Sequence, residues 1–156
     1  MKRFSIVAML LLICIMAFAA PKKMAVYVDG DATKSQKTIV SSCVLARMSG
    51  SKDYSPFERN DAFLKALTKE QDFQLSGEVP EREIRAVGKR LGVDYVLAVN
   101  IIITDDGYCH MSGRLINLET GAIVKSVNQK REYENSEVLT AMANNIAYRL
   151  LNKNSK

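Results

Sequence analysis

The sequence predicts one α/β (α+β) domain, with a single mixed sheet of about five strands and helices packed on it. Residues 94–103 run almost wholly apolar, which is typical of a strand that is buried on both faces. Residues 108–117 follow after a short turn and alternate with a period of two, as a strand that buries one face does. Apolar stripes at helical spacing stand at 33–50 and 135–153. The full predicted order is β-α-β-α-α-β-β-β-α, and one sheet covered by helices follows from it.

The first strand and the first helix are predicted within residues 24–50. Residues 24–31 form a short apolar run that ends in Asp-Gly-Asp, which indicates a buried strand. The helix is predicted from an apolar stripe that consists of Ile39, Val40, Cys43, Val44 and Met48. Thr33 or Ser35 is expected to cap its start, and Gly50 to end it.

Three further elements are predicted before the central strand. Residues 54–59 are expected to be extended, and Pro56 restricts this piece to an edge or a bend. Residues 60–71 open on capping residues and continue with an apolar stripe, which predicts a helix. A further helix is predicted over 80–91, and Gly92 is expected to end it in a left-handed conformation.

A hairpin, an edge strand and a closing helix are predicted after the central strand. Asp106-Gly107 suits a primed hairpin turn. One face of the following strand carries Cys109, Met111, Gly113 and Leu115. Its other face carries Tyr108, His110, Ser112 and Arg114. Residues 122–131 are more polar and are predicted to lie nearer an edge. The closing helix is expected to direct inward Leu139, Met142, Ala143, Ile146 and Leu150.

Gly88 and Lys89 stand directly before the central strand, and a glycine beside a lysine raises the question of a phosphate-binding loop. Such a loop leaves a strand, curls through glycines and enters a helix. This stretch runs the other way, from helix to strand, and lacks the glycine spacing. Gly88 is therefore interpreted as a close-packing contact, and Lys89 as its solvent-facing neighbour.

The candidate interaction surface consists of Arg82, Arg85, Lys89 and Tyr108. The three basic residues are predicted to share a solvent-facing side of one helix, which suits an acidic partner or an anionic polymer. Acidic residues are interspersed with them, so an ordinary solvated helix face is the competing interpretation. Tyr108 is included because tyrosine is enriched among the anchors of protein contacts.

Residues 1–19 have the features of a secretory signal peptide. Lys2 and Arg3 precede an apolar run over 4–18, and small residues stand at the cleavage spacing. This run is shorter than the ~20 apolar residues that a membrane-spanning helix needs. We therefore expect residues 20–156 to form a single secreted α/β domain without a transmembrane segment, in the periplasm or associated with the outer membrane.

Charge argues against a nucleic-acid partner. Removal of the signal peptide leaves 20 basic and 17 acidic residues, a net charge near +3. A nucleic-acid binder concentrates positive charge on one face or tract, whereas lysines and arginines here are interleaved with acidic residues. The expected partner is another protein of the envelope, and self-association is compatible with the sequence.

Cys43 and Cys109 remain in a chain that is expected to enter an oxidising compartment. A disulfide between them would close a long loop and contribute roughly 4 kcal/mol by chain-entropy arithmetic. Both positions also face the predicted core, where a free cysteine behaves as a small hydrophobe. A disulfide and two free thiols therefore stay open as alternatives.

The sequence predicts no catalytic residue, no cofactor and no metal site. His110, the only histidine, is next to Cys109, but adjacent residues of a strand point to opposite faces. Turn formation and helix capping account for the paired aspartates, Asp29 with Asp31 and Asp105 with Asp106. Asp29 also stands where the first strand is predicted to leave the sheet, at the edge where α/β sheets border ligand crevices.

Four stretches together point to a known family. They are the first strand MAVYV, the FER ahead of the helix FLKALTKEQ, the junction LGVDYVLA and the hairpin RLINLETGAIVKS. In these stretches the chain resembles the small α/β domain shared by CsgG, the LpoB activators of penicillin-binding proteins and the N-terminal domain of TolB. The resemblance covers almost all of residues 24–150, and it implies a fold like that of the anticodon-binding domain.

The resemblance also implies a function. It suggests a non-enzymatic bacterial envelope protein that works by contact, either in the regulation of a cell-wall synthase or in the assembly of an envelope complex. The alternative hypothesis is a soluble periplasmic binder of a small anion or a glycan. Such a binder would use the crevice beyond Asp29 together with the nearby basic helix.

Overall fold

One mixed five-stranded sheet forms the centre of the domain, as the sequence predicts. The computed structural model describes residues 20–57, 86, 89–90 and 92–152. The strands lie in the order β2-β1-β3-β4-β5. Their bounds are β1 Lys22–Gly30, β2 Tyr54–Pro56, β3 Tyr95–Ile103, β4 Tyr108–Asn117 and β5 Ile123–Glu132. In the described part of the chain, two helices with complete bounds pack on this sheet, α1 Lys34–Ser49 and α2 Ser136–Leu151.

The central strand β3 joins the two halves of the sheet. It pairs in parallel with β1, from Met24 opposite Tyr95 to Gly30 opposite Ile101. On its other side it pairs antiparallel with β4 along its whole length. The mixed character of the sheet therefore originates at β3, where a crossover connection on one side meets a hairpin on the other.

Helix α1 begins and ends at predicted residues. Thr33 is the N-cap, and its hydroxyl accepts a hydrogen bond from the backbone N–H of Gln36 at 3.3 Å. The Gln36 side chain accepts from the Thr33 backbone in return at 2.7 Å, which completes a capping box. Gly50 is the C-cap. Gln36 also donates to the hydroxyl of Tyr133 at 2.7 Å, so this capping residue ties the start of α1 to the end of β5.

Helix α2 lies close to the sheet because β4 carries a glycine beneath it. A Cβ on Gly113 would overlap the side chain of Ile146 and would lie 2.9 Å from Cδ1 of Leu150. All five residues that were predicted to point inward from this helix are buried, together with Ala147 and Leu151. The approach of α2 to the sheet therefore depends on a missing side chain in β4.

Cores of unequal size lie on the two faces of the sheet. The larger core lies between the sheet and the helices, where α1 packs on β1 and β2, α2 packs on β4 and β5, and the helices contact each other. The smaller core on the opposite face consists of Ala25, Val93, Val96, Ala98, Ile116 and Leu118. Residues at both parities of β3 are therefore buried, which confirms the two-sided burial predicted for this strand. Ile102 near its end is exposed over 39% of its surface.

The turn between β3 and β4 differs from the predicted primed turn. A type I′ turn needs positive φ at both central residues, and among the described residues only glycines have positive φ. Gly107 has φ +82°, and its N–H donates to the carbonyl of Thr104 at 3.0 Å. Thr104 in turn donates its N–H to the carbonyl of Tyr108 at 2.8 Å. The loop is therefore one residue longer than the prediction requires, and Gly107 alone takes the left-handed conformation.

The remaining predicted elements agree with the structure wherever it describes them. Pro56 lies in the short edge strand β2, and β5 is the edge strand on the other side. Gly92 has φ +71°, as expected of a left-handed stop. The helix predicted over 60–71 and most of that over 80–91 lie outside the described residues, as do residues 1–19.

Replacement of Gly113 by alanine tests the close approach of α2. The new Cβ forces Ile146 or Leu150 to move, so we expect Gly113→Ala to lower the free energy of unfolding by about 1–3 kcal/mol in urea denaturation. Gly50→Ala is the matched control, since the nearest atom to its Cβ is a carbonyl oxygen at 3.7 Å. That variant should stay within about 0.5 kcal/mol of the parent. Equal losses in both variants would contradict the packing role of Gly113.

Candidate functional site

The face of β4 and β5 that points away from both helices is largely open to solvent. Its pattern follows directly from the alternation of β4, in which even-numbered residues oppose the core-facing ones. This surface, hereafter the open sheet face, consists of Tyr108, His110, Ser112, Arg114, Asn128 and Lys130, together with the neighbouring Ile102 of β3. Tyr108 is 36% exposed and Ile102 39%, so the open sheet face combines apolar and polar side chains.

A cation–π contact lies at the end of this face where β4 begins. The ammonium of Lys130 lies 4.0 Å from the centroid of the Tyr108 ring. Contacts of this kind contribute about 0.5–1 kcal/mol at exposed sites. The neighbouring turn adds the carboxylate of Asp106, whose pKa is lowered by the hydrogen bond from the Thr104 hydroxyl and by the charge of Lys130. The Tyr108 ring is therefore held between strands β4 and β5 and presents its remaining surface to solvent.

Cys109 and His110 do not form a catalytic pair. Cys109 is fully buried in the core beneath the helices, whereas His110 lies on the open sheet face. The separation predicted from strand alternation is therefore confirmed. Among the residues described, no three or more His, Cys, Asp or Glu side chains are grouped so that they could hold a metal ion.

A cleft of about 410 Å³ opens at the other end of the sheet, where β1 and β3 begin and β4 ends. It is lined by Lys22, Lys89, Gly92, Val93, Asp94, Tyr95, Asn117, Leu118 and Glu119. Asp94 accepts a hydrogen bond from the N–H of Lys23 at 2.8 Å, and Asn117 donates to the hydroxyl of Tyr95 at 3.2 Å. Within the described part of the chain, Lys22 and Lys89 form no ion pair. The cleft therefore combines the ammonium groups of Lys22 and Lys89 with the carboxylates of Asp94 and Glu119.

The Asp29 carboxylate takes part in two contacts at the end of β1. The Asp29 carboxylate accepts a hydrogen bond from the hydroxyl of Tyr27 at 2.9 Å and lies 3.5 Å from the ammonium of Lys37. Gly30 follows with φ +105°, in space that a Cβ would share with the carbonyl of Ile101. Asp29 thus fixes the junction of β1 and α1, and the cleft found in the described residues lies at the opposite end of β1.

Of the predicted interaction residues, the structure describes Lys89 and Tyr108, which lie toward opposite ends of β4. Lys89 lines the cleft beside Asn117, at the end of β4, whereas Tyr108 begins the same strand. A ten-residue strand is about 30 Å long, so this distance separates the two residues. Lys89 is exposed, as predicted. Arg82 and Arg85 lie outside the described residues.

Both cysteines of the described chain are free thiols in the structure. Cys43 is half-buried on α1 and packs against the larger core, and Cys109 lies within that core. Burial raises the pKa of the Cys109 thiol. Of the two alternatives that the sequence left open, the structure has the unbridged form, with one thiol accessible and the other enclosed.

Structural comparison finds the same fold in several bacterial proteins. The C-terminal domain of LpoB from Escherichia coli is 15% identical, with 74% of this chain and 85% of that chain covered and a TM-score of 0.50. The PelC dodecamer of Paraburkholderia phytofirmans is 16% identical, covers 86% and 89%, and has a TM-score of 0.52. Lipoprotein GNA1162 of Neisseria meningitidis is 14% identical, covers 86% and 99%, and also has a TM-score of 0.52.

These likenesses support the LpoB-like fold that the sequence stretches predicted. The CsgG and TolB parts of the resemblance stay predictions. No protein-family model and no curated sequence matches the chain. None of the described helices is long and apolar enough to cross a membrane.

Sequence reasoning did not find the cleft or the partner of Tyr108. The cleft depends on Lys22, which lines the same cavity as Asn117 only after β1, β3 and β4 have paired. Lys130 of β5 lies opposite His110 of the neighbouring strand β4, and no local spacing in the sequence reveals that pairing. The alternation of β4 and the basic residues of the last strand were the available signals, and together they indicate a charged face opposite the helices.

Differential alkylation tests the state of the two thiols. Iodoacetamide without reductant should modify Cys43 in the native protein and spare Cys109, because only Cys43 has exposed surface. After denaturation, still without reductant, mass spectrometry should find both thiols alkylated. Cys43→Ser should lose the native modification and keep the second one. A denatured chain that takes up no label would instead demonstrate a disulfide.

Proposed function

We propose that this protein is a non-enzymatic, exported accessory protein of the bacterial envelope that acts by binding another protein. The observation that carries the proposal is the asymmetry of the sheet. Helices cover one face, while the opposite face of β4 and β5 presents Tyr108, Lys130 and the neighbouring Ile102 to solvent. An exposed aromatic ring between apolar and charged groups is a common anchor of protein contacts.

Two further arguments support this location and mode of action. Residues 1–19 have the pattern of a signal peptide, which would place the domain outside the cytoplasm. The fold is shared with LpoB and with lipoprotein GNA1162. By analogy with the family resemblance, the contact would regulate a cell-wall synthase or assemble an envelope complex. Self-association is the variant of this proposal that the PelC dodecamer suggests.

Loss of a partner on substitution of Tyr108 tests the proposal. In pull-downs from envelope extracts of the source bacterium, the parent protein should recover a protein partner reproducibly. Tyr108→Ala should reduce that recovery by about tenfold, the loss expected when a contact anchor worth roughly 1.4 kcal/mol is removed.

Tyr148 offers a matched control for Tyr108. It is 48% exposed, and Arg47 lies 5.3 Å from its ring centroid, so it has the same aromatic and cationic character on the helix side of the molecule. Tyr148→Ala should leave recovery unchanged. Equal recovery with Tyr108→Ala and the parent, or equal loss in both variants, would count against the open sheet face.

The cleft favours a second candidate function, the binding of a small anion. Lys22 and Lys89 line it together with Asp94 and Glu119, so a carboxylate or a phosphate would contact the two ammonium groups in a cleft whose formal charge is balanced. It is a second location for the alternative hypothesis, which the sequence places in the crevice beyond Asp29. The Tyr95 hydroxyl and the Asn117 amide nearby would add polar contacts for a ligand that carries hydroxyl groups.

Thermal-shift measurements with acetate, inorganic phosphate and glucose 6-phosphate separate this function from the first. A ligand at about 100 times its Kd stabilises the folded state by about 2.7 kcal/mol, which raises Tm by roughly 5–10 °C. Lys22→Ala and Lys89→Ala should each reduce the shift, whereas Lys34→Ala, at an exposed position on α1, should not. No shift with any of the three anions would remove this candidate.

A further inference from the structure

Among the described residues, the edge strand β5 pairs only with β4, from Tyr108 opposite Glu132 to Ile116 opposite Ile123, and its outer side is open. At ten residues it is much longer than the three-residue edge strand β2 on the other side of the sheet. An edge of this length offers a row of backbone donors and acceptors on which another strand can pair.

The hydrogen bonds of β5 identify which backbone groups face outward. Tyr133 donates its N–H to the carbonyl of Gly107 at 2.7 Å, so the backbone of Tyr133 points toward β4. In an antiparallel ladder, successive residues direct their N–H and C=O groups to alternate sides. The residues whose backbone groups therefore point away from β4 are Glu132, Lys130, Asn128 and Ser126.

The charge of β5 selects the chemistry of an added strand. The strand carries Lys125, Lys130 and Arg131 against the single acid Glu132. Like charges opposite each other destabilise a strand pair, and opposite charges stabilise it by about 0.2–1 kcal/mol each. A second copy of β5 would bring the same positive charges, whereas an acidic strand would neutralise them. Basic residues on an edge therefore oppose self-pairing and favour an acidic partner.

The start of β5 adds an apolar contact to this edge. Ile123 is 46% exposed and Val124 is 49% exposed. Both lie at the register shift between β4 and β5, near Leu115 and Ile116. An incoming strand would cover these side chains in addition to forming backbone hydrogen bonds, so it needs apolar residues among its acidic ones.

We infer that the partner contributes an extended, acidic segment that adds to the β5 edge as a sixth strand. This inference rests on the proposed function. It adds the chemical character of the partner segment, and it places the contact at β5, beside the open sheet face. Backbone hydrogen bonds would supply affinity, and the charges of Lys130 and Arg131 would supply selectivity.

A capped heptapeptide of alternating valine and glutamate is the probe for this edge. Its fluorescence anisotropy should increase on addition of the protein at low salt, and the affinity should fall as salt screens the charges. Hydrogen exchange measured by NMR should slow at the amides of Ser126, Asn128, Lys130 and Glu132 when the peptide is bound. The intervening amides, which already face β4, should change little. The corresponding valine and lysine peptide should not bind.

Charge reversal provides the second measurement. The double variant Lys130→Glu with Arg131→Glu should bind the acidic peptide with an affinity at least roughly tenfold lower than that of the parent. Lys52→Glu, at an exposed position outside the sheet, is the matched control and should bind as the parent does. If the reversed variant does not fold, Lys130→Gln with Arg131→Gln replaces it and should give a smaller loss in the same direction.

The outcomes separate this inference from the proposed function. Binding that protects the four outward amides and fails with charge reversal supports the β5 edge. Absence of peptide binding, or binding that leaves these amides unprotected, overturns it. In that case the proposed function still stands if an envelope partner is recovered in a manner that depends on Tyr108, and it fails separately if no partner is recovered.

Discussion

The two-sided burial of β3 is the constraint on which the rest of the structure depends. Val96 and Ala98 face the smaller core, and Leu97, Val99 and Ile101 face the larger one beneath the helices. Each fully buried aliphatic side chain of this size contributes roughly 1.5–3 kcal/mol relative to exposure. A strand with apolar residues at both parities is stable only in the interior of a sheet that is covered on both faces at that position. β1 and β4 therefore pair with β3 from opposite sides, and the helices must lie over them.

Much of this fold is predictable because it depends on periodicity. The even and odd residues of β4 separate as the sequence indicates, and the inward stripe of α2 is buried in full. Helix caps are equally local, so Thr33 and Gly50 were identifiable from a few neighbouring residues. The turn at Asp106-Gly107 was not predicted correctly, because the same dipeptide fits turns of two lengths. Only the hydrogen bonds of Thr104 with Gly107 and Tyr108 distinguish them.

The surface residues could be found individually but not placed relative to one another. Lys89 precedes β3, and Tyr108 begins β4. Because β3 and β4 run antiparallel, the residue before one strand lies near the end of the other, at Asn117, and far from its beginning. Strand pairing of this kind joins residues that are distant in sequence, which local patterns do not encode. For the same reason Gly113 appears in the sequence as an ordinary strand glycine, and its contacts with Ile146 and Leu150 emerge only from the tertiary structure.

The two faces of the sheet are not buried to the same extent at every strand, and this difference explains where the proposed contact surface lies. On the face opposite the helices, the smaller core lies over β1, β3 and the end of β4, where Phe57 and Tyr27 pack against it. Toward β5 that cover ends, and the same face becomes polar and exposed. The helices hold the sheet from the other side, since α2 packs on both β4 and β5. The outer strands thus remain ordered without burial of their second face. A sheet that is supported from one side can present a rigid, preorganised surface to a partner, and a rigid surface loses little conformational entropy when it binds.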